Sequence, residues 1–430
     1  MGGDRAVSTV AGISGILLLF LGLPIPFAVG LAAVLGLQAG ALPLPLVVQR
    51  VFAAQDSFHL MAIPLFVLAG SLMNAGGMSE RLVRLAGALV GRLRGGLVHV
   101  NILSNVFFSG ISGSAAADAS AVGSILIPGM ERAGYRRELA AAVTAAASLI
   151  GPIVPPSIPM ILYGVEAEVS IARLFLAGAI PGLLLAAAQM AVGAWVARRQ
   201  GLPAGQAAGW REIGSALRQA AWAAAMPVII LGGILGGVFT PTEAAAVAVF
   251  YALGVGLLVH RELDAARIAR ALVETALTTG VVMLMIGATE ALAWILARER
   301  IPQLLAGWVA GLGASPAAIL LLINLVLLII GVPLEPAPAL LILVPVLMPL
   351  VLRLGVDPVH FGVIMVLNLV IGLVTPPVGA SIFVVSAISR VPLTAMTRAM
   401  WPFLLVSIAV LLLVTYVPAL SLWLPSLAIR

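Results

Sequence analysis

IGPIVPPSIPMILYG, residues 150–164, is an almost wholly apolar segment with two consecutive prolines at its centre. Pro155 and Pro156 offer no N–H group, and each disfavours the α conformation in the residue before it. A membrane helix must therefore unwind at this point. In lipid the freed carbonyl groups have no water to bond, so they must meet protein or a ligand. We predict a broken membrane helix over 138–164.

A second copy of this pattern follows about 221 residues later, where GPIVPPSIP is matched by GLVTPPVGA. The matching pairs at that offset are Pro128 and Pro349, Gly134 and Gly355, Gly151 and Gly372, Pro155 and Pro376, and Pro156 and Pro377. Coincidence in a chain with 45 Gly and 28 Pro is the alternative explanation. Five matches at one offset favour a repeat, and inverted repeats with broken helices are typical of secondary transporters.

The composition is that of a membrane protein. Of 430 residues, 62% are hydrophobic and 9% charged, whereas soluble domains carry about 25% charged residues. We predict an all-α polytopic fold of two inverted repeats, 1–215 and 216–430, each with five spans and one re-entrant helical hairpin. The predicted spans are 6–22, 26–40, 60–76, 138–164, 174–197, 223–239, 243–259, 276–297, 357–388 and 400–422, and the hairpins are about 97–129 and 316–350.

Arginine positions predict the orientation. All 23 basic residues are arginine, and cytoplasmic loops are enriched in them. Arginines lie on both sides of the first hairpin, which places its ends in the cytoplasm, and the second hairpin then opens to the opposite face. This topology leaves 16 arginines inside and 7 outside, with both termini periplasmic. The segments 79–94 and, more weakly, 262–275 have the amphipathic pattern of interfacial helices, although ordinary connecting helices explain the second equally well.

Several functions are excluded or disfavoured by composition. Without cysteine there are no disulfides or thiolate metal sites, and the four histidines are too scattered to suggest a transition-metal site. The net charge of +6 belongs to loop arginines, which predicts no nucleic-acid partner. We see no P-loop, no channel filter motif and no cluster suited to an intramembrane enzyme. The chain is predicted not to be an enzyme.

The broken helices are candidate Na⁺ sites, since carbonyl and hydroxyl oxygens suit a small hard cation. The first site would use the carbonyls of Gly151, Val154 and Pro156 with the hydroxyls of Ser109, Ser112 and Ser114. At the repeat offset, the second would use Gly372, Thr375 and Val378, with Gly331 from the second hairpin. A proline kink satisfied by neighbouring hydroxyl groups is the alternative.

A carboxylate substrate would suit the hairpin tips, because helix N-termini carry unpaired amides and a positive dipole end. The substrate candidates are Ser112, Gly113, Ser114, Ser157, Thr375 and Gly379, together with the buried acids Asp118 and Glu335. Both acids have an alternative explanation as first-turn residues stabilised by the helix dipole, and the role of Glu290 is left open. Glu243 is predicted to form a capping box with Thr240 rather than a site.

Four stretches carry a family resemblance: FSGISGSAAADASAVGSILIPGMERAGY (108–135), IGPIVPPSIPMILYG (150–164), GGVFTPTEAAAVAVFYAL (236–253) and GLVTPPVG (372–379). They resemble the large membrane subunit of tripartite ATP-independent periplasmic (TRAP) transporters of the C4-dicarboxylate and sialic-acid type. The resemblance implies an elevator-type, Na⁺-driven importer of organic acids in the bacterial inner membrane, with no cofactor beyond Na⁺. Leu334 stands where Met is expected, and Val378 where the first repeat has Ser157.

The resemblance also implies two protein partners, a periplasmic substrate-binding protein and a small four-helix membrane subunit. Because ten spans and two hairpins use up the chain, that small subunit is predicted to be a separate polypeptide. Two alternatives share these features: a self-sufficient ion-coupled carboxylate carrier, and the large subunit of a tripartite tricarboxylate transporter.

Overall fold

The computed structural model describes residues 4–205, 208–311, 313–376 and 378–428, and within them the chain is helical without any strand. The helices are α1 (Asp4–Phe20), α2 (Ile25–Ala39), α3 (Pro45–Gln55), α4 (Ala62–Ala75), α5 (Met78–Val90), α6 (Gly96–Ser112), α7 (Ala115–Arg132), α8 (Arg137–Ala147), α9 (Ile158–Glu166), α10 (Ile171–Arg199), α11 (Trp210–Leu235), α12 (Pro241–Gly254), α13 (Ala265–Arg298), α14 (Ile301–Gly311), α15 (Pro316–Gly331), α16 (Pro336–Arg353), α17 (Pro358–Gly372), α18 (Ala380–Ser389), α19 (Leu393–Tyr416) and α20 (Ala419–Ala428).

Seven of the described helical segments are long and apolar enough to cross a membrane. They include α10, α11, α13 and α19, and shorter apolar helices surround them. Large apolar side chains point outward, with Phe20 88% and Trp210 89% exposed. Apolar surface on this scale requires lipid or a partner. The prediction of an all-α polytopic membrane protein is confirmed.

Two helical hairpins form where the sequence predicts them. In the first, α6 and α7 are joined only by Gly113 and Ser114, and Gly113 has a φ of +59°, which glycine adopts readily. In the second, α15 and α16 are joined by residues 332–335. That each hairpin enters and leaves on one side of the membrane, and that the two halves have opposite orientation, stay predictions.

Both predicted breaks interrupt helices. After α8 the chain makes a 3₁₀ turn, Ser148–Ile150, and then runs without regular helix until α9 begins at Ile158. In the second half α17 ends at Gly372 and α18 begins at Ala380. Pro377, which the repeat comparison identified, lies outside the described residues. The prolines thus interrupt the helical hydrogen-bond ladder at the predicted places.

Contacts across the two halves join the broken helices. The Tyr163 hydroxyl on α9 donates to the carbonyl of Pro358 at the start of α17 over 2.6 Å. Its ring packs against Gly362, where an added Cβ would come within 2.7 Å of the ring atom Cδ1. Tyr163 is fully buried. The two broken helices therefore pack against each other at this side chain.

Buried amides tie each hairpin to a neighbouring helix. On α6 Asn101 donates from Nδ2 to Thr144 Oγ1 on α8 over 2.7 Å. In the second half Asn368 on α17 donates to Asn324 Oδ1 on α15 over 2.7 Å, and Asn324 donates to Thr415 Oγ1 on α19 over 3.1 Å. Such bonds are costly to break in an apolar interior. They hold each hairpin against its own half of the molecule.

Several predicted boundaries need correction. Residues 262–275 are not a separate interfacial helix, because from Ala265 they continue without interruption into α13, which has 34 residues. The predicted span 400–422 is divided, since α19 ends at Tyr416 and α20 begins at Ala419. The short helices α3, α14 and α20 were not predicted. By contrast, α5 confirms a helix within 79–94, although it ends at Val90.

The predicted capping box at the start of α12 is confirmed. Thr240 Oγ1 accepts from the Glu243 amide at 3.3 Å, and the Thr240 amide donates to Glu243 Oε2 at 2.8 Å. These bonds satisfy two amides that the helix itself leaves unpaired. The carboxylate of Glu243 therefore stabilises the start of α12.

Replacing Thr240 with alanine removes one of these bonds. We expect a loss of about 1 kcal/mol of stability, the usual cost of an N-cap, with unchanged transport. Thermal unfolding of the purified protein in detergent measures it. Thr278→Ala, in the middle of α13, serves as the stability control, and an equal loss in that variant would contradict the capping role.

Candidate functional site

A cavity of about 550 Å³ lies at the tip of the first hairpin. It is bounded by the tip, by α4, by α13, by the first turn of α9 and by the tip of the second hairpin. Its polar lining residues are Ser71, Asn74, Ser79, Ser112, Ser114, Asp118, Ser120, Glu274, Thr278 and Glu335. The structure thus brings together Ser112, Ser114, Asp118 and Glu335, four predicted substrate residues from two hairpins.

Asp118 is the most constrained of these groups. It is 0% exposed, in the first turn of α7. The Ser112 hydroxyl donates to its Oδ1, and the Ser114 amide donates to Ser112 Oγ over 3.2 Å. Its Oδ2 has no partner among the described groups and lies directly against Gly151, where an added Cβ would overlap it. A buried carboxylate with one unpaired oxygen favours a nearby cation.

The first break presents unpaired carbonyl groups beside that carboxylate. In the described part of the chain, the carbonyls of Gly151, Val154 and Pro156 accept no hydrogen bond. The hairpin tip lies against the break, since a Cβ on Gly113 would come within 2.7 Å of the Pro156 oxygen. The carbonyls of three predicted Na⁺ ligands are therefore available to a cation, and the hairpin tip lies against one of them, that of Pro156.

The other first-half candidates already have partners. Ser109 is buried and donates to the Val106 carbonyl over 2.5 Å, which leaves its lone pairs available. Ser157 caps α9, accepting from the Met160 amide over 3.2 Å and donating to the Pro152 carbonyl. Ser157 does not line the cavity. Its observed contacts are those of a helix cap.

The second break packs against the end of α15. Gly372 lies against Gly331, so that an added Cβ would come within 2.8 Å of the Gly331 Cα. The Gly372 carbonyl accepts from the Thr375 amide over 3.0 Å, and Thr375 Oγ1 donates to the Ile371 carbonyl over 2.8 Å. Val378 is 42% exposed. The predicted partners Gly331, Gly372 and Thr375 are close together, but they lie outside the cavity.

The lining of the first cavity is acidic. Its described lining includes three acids, Asp118, Glu274 and Glu335, and no arginine. Glu335 is exposed to the cavity at the N-cap of α16, and its side chain makes no capping bond. An anionic solute entering here meets like charges at close range. It would need accompanying cations.

Some lining residues were not found from the sequence. Ser71 and Asn74 belong to α4, while Glu274 and Thr278 belong to α13. Their positions have no motif and no repeat partner, and they meet the hairpin only through the fold. The weak amphipathic signal over 262–275 was the only indication that α13 carries polar groups at this end.

The comparison with protein families places the chain clearly. Residues 13–420 match the family described as "Tripartite ATP-independent periplasmic transporter, DctM component". The sialic acid TRAP transporter large permease SiaM of Vibrio cholerae is 43% identical over 411 residues, covering 95% of this chain and 96% of SiaM. The C4-dicarboxylate TRAP transporter large permease DctM of Pseudomonas aeruginosa is 44% identical over 377 residues, covering 88% of each.

A longer relative and two solved structures complete the comparison. The isethionate permease DctMQ of Oleidesulfovibrio alaskensis is 44% identical over 95% of this chain, which spans only 64% of that protein. Among solved structures, the Alcanivorax borkumensis YdaH transporter has a TM-score of 0.63 at 16% identity, covering 88% of this chain and 87% of YdaH. MtrF of Neisseria gonorrhoeae has a TM-score of 0.54 at 14% identity, covering 86% and 83%. These two establish only a shared fold.

Proposed function

Because this chain belongs to the DctM family of tripartite ATP-independent periplasmic transporters, we propose that it imports an organic acid in symport with Na⁺. The membership makes it a large permease of such a transporter, and it agrees with the many apolar helices. The observation that carries the Na⁺ proposal is the buried, half-unpaired carboxylate of Asp118 against the free carbonyls of the first break.

The proposed substrate is an anion with at least one acid group. The relatives are named for sialic acid, C4-dicarboxylates, 2,3-diketo-L-gulonate and isethionate. Three of these are carboxylates and the fourth is a sulfonate, so the shared chemistry is a small negatively charged head on a polar body. The cavity of about 550 Å³ offers hydroxyl and amide groups for that body.

Charge balance explains why such an anion would travel with Na⁺. Two unit charges 4 Å apart interact by about 4 kcal/mol at an effective dielectric constant of 20. An anion beside Asp118 and Glu335 would meet repulsion of that order, and Na⁺ bound at the first break would offset it. Substrate and ion would then favour each other's binding, which is the requirement for symport.

We assign the first Na⁺ to Gly151, Val154, Pro156 and the hairpin hydroxyls, and a second to Gly331, Gly372, Thr375 and Val378. The substrate would lie among Ser112, Gly113, Ser114 and Glu335, with Thr375 and Gly379 approaching from the second break. In an elevator-type movement, the hairpins and broken helices would move together against α4 and α13. Their mutual packing through Tyr163 supports such a unit.

Two partners belong to the proposal, a periplasmic binding protein that delivers the acid and a separate small four-helix membrane subunit. We place the chain in the bacterial inner membrane with both termini in the periplasm. The arginine distribution supports this orientation, since the loops around α5, α7 and α8 are rich in arginine.

Uptake into proteoliposomes tests the function. The chain is reconstituted with its small subunit and offered radiolabelled succinate, N-acetylneuraminate, 2,3-diketo-L-gulonate and isethionate, with or without the cognate binding protein. We expect uptake of at least one acid only with an inward Na⁺ gradient, and none with K⁺ in its place. Uptake without the binding protein would indicate a self-sufficient carrier. Na⁺-independent uptake would contradict the symport.

A further inference from the structure

A second cavity, of about 390 Å³, adjoins the first between α4 and the N-terminal part of α13. Its described lining is Ser71, Asn74, Ala75, Arg267, Arg270, Ala271 and Glu274. Ser71, Asn74 and Glu274 line both cavities. The two cavities are therefore neighbours along α4, with these three side chains at their junction.

The two cavities differ in charge. The first is lined by three acids, whereas the second has two arginines and shares a single acid, Glu274. A cleft lined by an excess of one charge concentrates ions of the opposite sign. We propose that the second cavity, which we name the arginine vestibule, is an anion-binding site in series with the first. It would hold the carboxylate or sulfonate head of the acid at the mouth of the pathway.

Arg267 is held in place by the backbone. Its Nη1 donates to the Ala75 carbonyl over 3.2 Å and to the Glu262 carbonyl over 2.5 Å, while its Nε lies 3.9 Å from Asp264 Oδ2. The Glu262 carboxylate is itself paired with Arg81 at 2.6 Å. The guanidinium of Arg267 is thus fixed at the wall, with Asp264 as its own acidic neighbour and with the Glu262 carboxylate paired to Arg81 instead.

Arg270 is the arginine of the vestibule that is available to a ligand. It is exposed at the wall, and the described residues give it no hydrogen bond and no ion pair. Its planar guanidinium can therefore hold a carboxylate or sulfonate through two parallel bonds. Glu274 follows one helical turn later, at the junction of the two cavities. Glu274 thus separates the acidic first cavity from the vestibule, which in the proposed orientation lies at the cytoplasmic end of the pathway, so an imported acid reaches Arg270 after it leaves the first cavity.

The identity of the acid rests on the proposed function, whereas the attraction of the vestibule for anions does not. A cysteine probe tests that attraction without any transport assay. The chain contains no cysteine. Ser71→Cys therefore places a single thiol between the two cavities. In purified protein in nanodiscs, its modification rate is measured with two methanethiosulfonates, one bearing a sulfonate and the other a trimethylammonium group.

We expect the ratio of the anionic to the cationic rate at Ser71→Cys to fall about three- to tenfold when Arg270 is replaced by glutamine. Arg270→Lys should keep most of the ratio. Arg398→Gln, an exposed arginine on α19, is the matched charge control and should not change it. A reporter far from the vestibule, Ser426→Cys on α20, should not respond to Arg270→Gln.

A ratio that Arg270→Gln leaves unchanged overturns the vestibule, whatever the uptake assays show. Failure of both reagents to reach Ser71→Cys also overturns it, because the cavity would then be closed to solutes. If the ratio falls as expected but no organic acid is transported, the anion site is supported and the proposed function is contradicted.

Discussion

Replacing Gly372 with alanine is expected to destabilise the protein by about 3 kcal/mol, at the upper end of the range for overpacking. The added methyl group would overlap the backbone of Gly331 and come within 2.8 Å of its Cα. Backbone on both sides cannot move aside as a flexible side chain can. The second hairpin would be pushed from the second break, and the oxygens assigned to the second Na⁺ would separate. Thermal unfolding and Na⁺-dependent uptake measure the two effects.

Gly280→Ala is the matched control. Gly280 lies inside α13 with nothing within 4 Å of an added Cβ, so alanine should be neutral or stabilise the helix by about 0.5–1 kcal/mol. Gly331→Ala gives an intermediate case, because its Cβ would come only to 3.3 Å of Leu369 Cα. Equal stability of the Gly372→Ala and Gly280→Ala proteins would show that the second hairpin and break are not packed as described.

Asp118→Asn should strongly reduce Na⁺-coupled uptake without unfolding the protein. Asparagine keeps the shape of the side chain and its bond with Ser112, but it removes the negative charge beside Gly151. An ionised acid at mid-membrane costs about 2.5–3.5 kcal/mol on insertion scales, so the neutral variant should be at least as stable without Na⁺. We expect its apparent Na⁺ affinity to fall about tenfold or more, measured as Na⁺-dependent thermal stabilisation.

Asp357→Asn is the same substitution at a position with another role. Asp357 caps α17 by accepting from the amides of Val359 and His360, and asparagine caps a helix as well as aspartate does. Its Na⁺ response should match that of the unmodified protein. If Asp118→Asn also retains the full Na⁺ response, the carboxylate does not serve the cation, and the first site would have to rely on uncharged oxygens alone.

Proline and glycine made the breaks and hairpin tips predictable, because their effect on the backbone is local. Proline removes a backbone donor and fixes φ at Pro155 and Pro156, and glycine permits the positive φ at Gly113, whatever the surrounding fold. The continuity of α13 was missed for the opposite reason. Arg267, Arg270 and Glu274 lower the hydropathy of its first turns, but arginine and glutamate are good helix formers. Hydropathy therefore predicted where the membrane-spanning part of α13 begins, whereas the helix itself begins earlier, at Ala265.

The short helix α3 illustrates a second limit. It has 11 residues and buries none of them, so neither a 20-residue apolar window nor an amphipathic stripe identifies it. Within the site, Ser112, Asp118 and Glu335 were found because polar residues at the tips of otherwise apolar hairpins are conspicuous in the sequence; of the two acids predicted to be buried, only Asp118 is, and Glu335 is exposed to the cavity. Ser71 and Asn74 were not, because they come from α4 and meet the hairpin through tertiary packing alone.

The tyrosine that joins the two halves has a consequence for the Na⁺ dependence of transport. Tyr163 belongs to the first broken helix. Its hydroxyl group donates to the Pro358 carbonyl, and its ring packs against Gly362, both in the second broken helix. A displacement of one break without the other would expose this buried ring and leave its hydroxyl group unpaired. Binding of Na⁺ at one break would therefore favour binding of Na⁺ at the other. Transport would then depend on Na⁺ concentration more steeply than one independent ion allows, with the aromatic side chain acting as the mechanical link between the two binding equilibria.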